Sequence, residues 1–329
     1  MSHSIQLRSF EDRDCQGFLD LMNQVSAPGV FSYVEDLSPH PERFHSIQGA
    51  NAKSFVALAD QRVVGSIGYY TQDVYTKSGT QKLAFVQELR IHPDFRGKGL
   101  SEGLGRKLVE QIKAHHPEAV CVGVVERKNQ AVLSGVYPRW KKAGLLDFKP
   151  VLPFTVFMLP AGFWNRGLPK ELSFQAVPDT QFENYWKNRT QAVHQQSLRS
   201  TTKINRPHSK YQLYQSTDGK SGYGLWDQTE LRSYRLQLLR SKKIPIRYLH
   251  DLWALDPSTQ NYKQLIRDGL KKCRASGGKI LCIAAQDASP LFEALQSFVH
   301  FKTEMYLVKD HFSPDLPLGD SVFLEAALG

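Results

Sequence analysis

VQELRIHPDFRGKGLS, residues 86–101, reads as a strand that passes through a glycine-rich turn into a helix. Phe85, Leu89 and Ile91 are strand-type residues, Pro93 stops the strand, and Arg96-Gly97-Lys98-Gly99 sets two glycines and two cations in four positions. From there Leu100, Leu104, Leu108 and Ile112 recur every fourth position, which predicts an amphipathic helix with one buried face. The turn therefore stands at a helix N-terminus. Unpaired backbone N–H groups and the positive end of the helix dipole favour an anion there, and glycine lets a ligand come close to the backbone. Arg96 and Lys98 add charge, so the stretch suits a pyrophosphate.

The spacing separates it from two common phosphate loops. A Walker loop ends in Gly-Lys-Ser/Thr after four intervening residues, and a dinucleotide fingerprint needs GxGxxG directly after a strand. Gly97, Gly99 and Gly103 are spaced GxGxxxG and follow an arginine. The segment instead resembles the acyl-coenzyme A loop of the GNAT N-acetyltransferase superfamily, Arg/Gln-x-x-Gly-x-Gly/Ala, here Arg96-x-x-Gly99-x-Ser101 with Ser in the last small position. The strand before it is similar to the family's Leu-x-Val-x-Pro-x-x-Arg-Gly, here Leu89 to Gly97.

This resemblance implies an α+β fold built on a mixed, largely antiparallel sheet, the GNAT acyl-CoA N-acyltransferase fold. It implies acetyl-CoA as co-substrate, held by Arg96, Gly97, Lys98, Gly99, Leu100 and Ser101, with the backbone of Leu89, Arg90 and Ile91 pairing with the pantetheine arm in a gap between two splayed strands. By the same resemblance Glu88 is the candidate base that takes the amine proton, against the plainer role of a carboxylate on a strand face. The family places Asn at the start of the next helix and Tyr seven residues on. Asn129, by the resemblance a further coenzyme-binding residue, and Tyr137 match those types but stand eight apart, Trp140 takes the Tyr position when counted back from Gly144-Leu145, and Tyr137-Pro138 predicts a break in the helix. Either Tyr137 or water then reprotonates the leaving thiolate.

The order of elements around the motif agrees with that fold. Ile5–Arg8 reads as a strand, 12–23 as a helix with Phe18, Leu21 and Met22 inward, and 55–59 with 63–70 as a hairpin. Residues 120–125 and 151–158 read as strands flanking a helix over 129–143. The second half repeats the pattern in degenerate form: Asp251-Leu252 aligns on Glu88-Leu89, a helix with Leu265, Ile266 and Leu270 follows, and 280–284 mirrors 120–125. Ser258-Thr259-Gln260-Asn261 stands where the glycines belong, which predicts a second domain without a pyrophosphate cradle. Pro160 to Pro169 reads as a linker, giving domains over 1–160 and 161–329.

Composition bounds the rest. The chain has 329 residues, 41% of them hydrophobic, enough for two cores. It carries no apolar run of membrane-spanning length and no signal-like start, so a cytoplasmic protein is expected. Cys15, Cys121, Cys273 and Cys282 form no metal-ligand spacing and read as buried thiols, with no metal expected. The net charge is +10, with 19 Lys and Arg against 16 Asp and Glu over residues 1–160 and 23 against 16 over the remainder. The basic segment 199–210 reads as a solvated loop before it reads as a docking patch. Without a helix-turn-helix, zinc ligands or an aromatic RNA-binding strand, charge alone does not indicate nucleic acid. Tyr223, Trp226, Tyr248 and Trp253 read as core. The expected function is acetyl transfer to a primary amine of a small molecule or peptide in one ternary complex, the acceptor set by loops such as 27–41; the alternative is a non-catalytic acyl-CoA-binding or interaction module.

Overall fold

A computed structural model describes residues 4–25, 33–36, 50–76, 78–162, 173–193, 210–227, 229, 233–236 and 243–316. The first half runs β1 (Ile5–Ser9), α1 (Cys15–Gln24), β2 (Tyr33–Asp36), β3 (Ala50–Ala59), β4 (Arg62–Thr76), β5 (Gly79–Ile91), α2 (Leu100–His115), β6 (Val120–Glu126), a π-helical segment (Ala131–Val136), α3 (Tyr137–Lys142) and β7 (Phe148–Pro160). The second half follows as β8 (Phe174–Ala176), α4 (Phe182–Val193), β9 (Lys210–Ser216), β10 (Ser221–Asp227), β11 (Ser233–Leu236), β12 (Lys243–Ile244), β13 (Ile246–Ala254), α5 (Thr259–Ala275), β14 (Ile280–Gln286), α6 (Pro290–Gln296) and β15 (Phe301–Asp310). Most of the linker and all of the basic segment but Lys210 lie outside the described residues, as do Phe31 and Leu37 of the 27–41 loop.

Twelve strands form one sheet in the order β1-β3-β4-β5-β6-β15-β7-β14-β13-β10-β9-β8. The last strand of each half has crossed into the other. β15 pairs antiparallel with β6 of the first half, and β7 pairs antiparallel with β14 of the second. Phe154 lies opposite Met305, and the pairing on either side of that point is reciprocal: Arg127 N–H donates to Glu304 O at 3.0 Å and Asp287 N–H to Pro153 O at 3.4 Å. Counting from the parallel pairs Phe85 with Val122 and Tyr248 with Cys282, Arg127 and Asp287 hold the same place in their halves. They meet across this pseudo-two-fold as an ion pair, and Thr155 Oγ1 donates to Asp287 at 2.9 Å.

Alternation along the strands sorts side chains to two faces. Phe85 and Val122 face a layer shared by both halves, which includes Phe18 and Met22 of α1 and Trp226, Tyr248 and Cys282. Ala84 and Cys121 face the opposite layer, where α2 packs through Leu104, Leu108 and Ile112. In the second half α5 packs through Leu265, Ile266 and Leu270 on Leu281 and Ile283. The hairpin joining β3 and β4 turns on Asp60 and Gln61, both at positive φ, as a two-residue turn requires. Tyr223, Trp226, Tyr248 and Trp253 are buried, as their spacing predicts. Three cysteines are buried, and burial pushes the Cys121 and Cys273 thiols up to about 12; Cys15 is only half-buried, against the expectation.

Because β6 and β14 each take their outer partner from the opposite half, neither half is complete alone. A fragment of residues 1–160 is expected to lack a cooperative unfolding transition, whereas mixing it with 161–329 restores one; circular dichroism melts of the separate and combined fragments check this.

Candidate active site

β5 and β6 pair in parallel only from Leu83 with Val120 to Val86 with Gly123. Beyond that point they separate, because Glu88 sits at φ +56 in a bulge: Gln87 lies opposite Gly68 and Arg90 opposite Ser66, so two residues face one. A bulge bends and twists its strand, which turns the end of β5 away from β6. Holding a non-glycine residue in this region costs about 1–3 kcal/mol. Ser66 Oγ helps to hold it by donating to Glu88 O at 3.0 Å. Arg90 and Ile91 remain registered with β4 on one side; among the described residues no strand registers with Leu89, Arg90 or Ile91 on the other.

Glu88 and Arg90 come together on this strand. Arg90 Nε donates to Glu88 Oε2 at 2.8 Å, and its Nη1 reaches Val25 O beyond the end of α1 at 3.2 Å. Both side chains are largely shielded, 13% and 21% exposed, so the pair is fixed rather than solvated.

The turn after β5 is tied down at its root and open at its tip. Phe95 is buried, Arg96 Nε donates to Ile91 O at 3.3 Å, and Lys98 Nζ lies 4.8 Å over the Phe95 ring. Gly97 and Gly99 adopt φ of +74 and +77, and a Cβ at either would meet nothing within 4 Å. The glycines are therefore required by backbone conformation, and the space beside them is clear. Gly99 is the N-cap of α2 and supplies no side-chain cap. Behind the turn Ser101 Oγ donates to Glu102 at 2.7 Å, Arg139 Nε binds Glu102 at 2.9 Å, and the Trp140 indole donates to Ser101 O at 3.1 Å. Trp140 packs on Gly105, where a Cβ would come within 3.0 Å of the ring. It is a core residue that locks the loop.

The expected helix break at Tyr137-Pro138 does not occur. Residues 131–136 form a π turn, and Tyr137 N–H donates five residues back to Val132 O. The wider turn makes room for the Pro138 ring in the helix and takes up one extra residue, which accounts for the eight-residue step from Asn129 to Tyr137. Tyr137 stacks obliquely on Phe148 at 5.1 Å and packs on the cluster that also takes Leu89 and Ile91. Burial pushes its hydroxyl above the ordinary tyrosine range, so it stays protonated. Asn129 is exposed, and its Oδ1 accepts the Val132 N–H at 3.3 Å as a helix cap.

The second half carries the same gap. β13 and β14 pair only from Ile246 with Ile280 to Tyr248 with Cys282, and Asp251, at the place of Glu88, again has positive φ, +49. Its carboxylate is held by Arg189 of α4 at 2.7 Å and by the Tyr211 hydroxyl, with Arg189 fully buried. α5 begins on Ser258, whose Oγ accepts the Asn261 N–H at 3.3 Å, while Asn261 Nδ2 donates to Asp256 at 3.1 Å. Donors left open in the first half are satisfied here from within. The Arg127–Asp287 pair, the Arg189–Asp251 pair and the π turn escape the sequence reading; the aligned repeat was the available signal for the first, since it puts the two residues at one position.

Residues 21–133 match the family model for the acetyltransferase (GNAT) family. No curated protein matches the sequence. Among solved structures, Saccharomyces cerevisiae N-myristoyltransferase with bound myristoyl-CoA is similar with a TM-score of 0.66 at 12% identity, over 95% of this chain and 81% of that one. A GCN5-related N-acetyltransferase from Anabaena variabilis gives 0.52 at 13% identity, over 92% and 72%. The glucosamine N-acetyltransferase region of a fungal multi-domain β-N-acetylglucosaminidase gives 0.65 at 10% identity, over 94% and 38%. At such identities the likeness is one of fold.

Two outcomes follow from these contacts. Asp251→Ala removes a carboxylate partner of the buried Arg189 and should destabilise the protein by about 3–5 kcal/mol, with much of that recovered in Asp251→Ala/Arg189→Met; thermal denaturation of the three proteins checks it. Tyr137 and Tyr223 both titrate above the ordinary range because burial disfavours the phenolate. Their contribution is fully present below about pH 10, where unfolded tyrosine ionises, and is lost as pH rises through the folded values. Stability should fall above about pH 10, less steeply in Tyr137→Phe.

Proposed function

We propose that the chain is an N-acetyltransferase in which the first half binds acetyl-CoA and passes the acetyl group to a primary amine of a small molecule or peptide. The observation that carries this reading is the continuity of the parted edge of β5 with an uncapped, glycine-initiated helix. One strand edge offers amide pairing for a pantetheine arm, and one helix end offers donors and cations for a pyrophosphate. Leu89, Arg90 and Ile91 take the arm, Arg96 to Ser101 the phosphates, and Asn129 caps the helix beyond the gap. The coenzyme supplies the activated thioester.

The protein's own groups then handle protons. Glu88, fixed by Arg90, accepts a proton from the amine directly or through water as nitrogen bonds to the thioester carbonyl carbon. The carbon–sulfur bond breaks, and the Tyr137 hydroxyl protonates the departing thiolate before recovering its proton from solvent.

Calorimetry with acetyl-CoA tests the cofactor site. Micromolar-range binding is expected in the intact chain and at least tenfold weaker binding in Gly99→Trp, whose ring enters the clear space at the turn. Free-thiol release across a panel of amines tests the chemistry, with myristoyl-CoA as the competing donor. Glu88→Gln should keep its acetyl-CoA affinity and lose about 10²-fold or more in kcat. Binding without turnover of any amine would assign a non-catalytic acyl-CoA module instead, and no binding would overturn the reading.

A further inference from the structure

The glycine turn and the candidate base are joined by a chain of side-chain contacts that passes over the end of α1. At the turn Lys98 lies over the Phe95 ring, and that ring meets the His92 imidazole edge to face at 5.9 Å. His92 is buried. Its N–H donates to Val64 O at 2.9 Å and its carbonyl accepts the Phe95 N–H at 2.9 Å, so this residue roots the turn on β4. Arg62 Nη2, also on β4, lies 2.8 Å from His92 Nε2 and donates to Gln24 Oε1 at 3.0 Å. The Asp94 N–H approaches the other ring nitrogen, Nδ1, at 3.3 Å. A neutral imidazole accepts at one nitrogen only. The nearer donor is a permanent cation, which assigns the lone pair to Nε2 and the proton to Nδ1, facing the Asp94 carboxylate at 3.7 Å.

Gln24 ends α1, and the next residue, Val25, offers the carbonyl that receives Arg90 Nη1 at 3.2 Å. Arg90 in turn holds Glu88 at 2.8 Å. α1 lies close on β4 beside Arg62, where a Cβ on Gly17 would come within 2.8 Å of Val63. Lys98 and Glu88 thus rest on one ring of contacts, closed through β4 and the end of α1. Two places are coupled when both bias one element, and the end of α1 is that element here. We propose that Arg62 and His92 are positioning residues: through them a filled turn fixes the end of α1, and with it the carbonyl on which the Arg90–Glu88 pair is set. The inference rests on the acetyltransferase reading and deepens it, because binding of the coenzyme then prepares the base for the amine.

Hydrogen exchange of the full chain, followed by peptide mass spectrometry with and without acetyl-CoA, tests this. The coenzyme should slow exchange across 93–103 and also across 21–25, each by about fivefold or more. Arg62 is exposed, so Arg62→Met is expected to fold; it should keep the slowing at 93–103 and lose it at 21–25. Its acetyl-CoA affinity should stay within about twofold of the parent, while kcat with the amine found by thiol release falls about tenfold. Slowing confined to 93–103 in the parent, slowing at 21–25 that persists in Arg62→Met, or an unchanged kcat would overturn the inference and leave the acetyltransferase reading standing. Absence of slowing anywhere would overturn that reading, and the inference with it.

Discussion

The antiparallel pairing of β7 with β15 is the contact on which the molecule depends. Each of these strands belongs by sequence to one half and by hydrogen bonding to both, so the sheet has no seam where two domains could separate. The Arg127–Asp287 ion pair and the reciprocal backbone bonds at Glu304 and Pro153 repeat this relation on either side of Phe154 and Met305. The continuous apolar layer running from Phe18 through Phe154 to Trp226 supplies the burial that joins the halves.

On this shared frame two gaps have diverged. Both arise from a bulge with one non-glycine residue at positive φ, Glu88 and Asp251, placed identically in the two halves. In the first, the strand leads to Gly97 and Gly99 and an uncapped helix, which leaves space and donors for an outside anion. In the second, Ser258 caps the helix and Arg189 satisfies the carboxylate. The same backbone thus leads to a helix start without a side-chain cap in one copy and to one capped by its own serine in the other.

Much of this was legible in the sequence because it is local. The run from Val86 to Ser101 carries its strand, turn and helix signals within sixteen residues, and the alignment of Asp251 on Glu88 marks the two bulges. The strand exchange was not legible, since β7 and β15 carry apolar runs, 156–159 and 305–308, that suit either neighbour, and nothing in a strand's own composition names its partner. The π turn was hidden because Tyr137-Pro138 carries the signature of a break, and only packing shows that a widened turn accommodates the ring. Arg189 was missed because an arginine on an amphipathic helix reads as a surface charge until its partner across the sheet is known. Cys15 failed as a buried residue for a related reason: it opens α1, where the apolar face is not yet established.

Coenzyme stoichiometry separates the two gaps, which share an origin and differ in how their helices begin. Native mass spectrometry of the intact chain with saturating acetyl-CoA should show one molecule bound per chain, and none after Gly99→Trp. Two molecules per chain, or one that persists in that variant, would contradict the account.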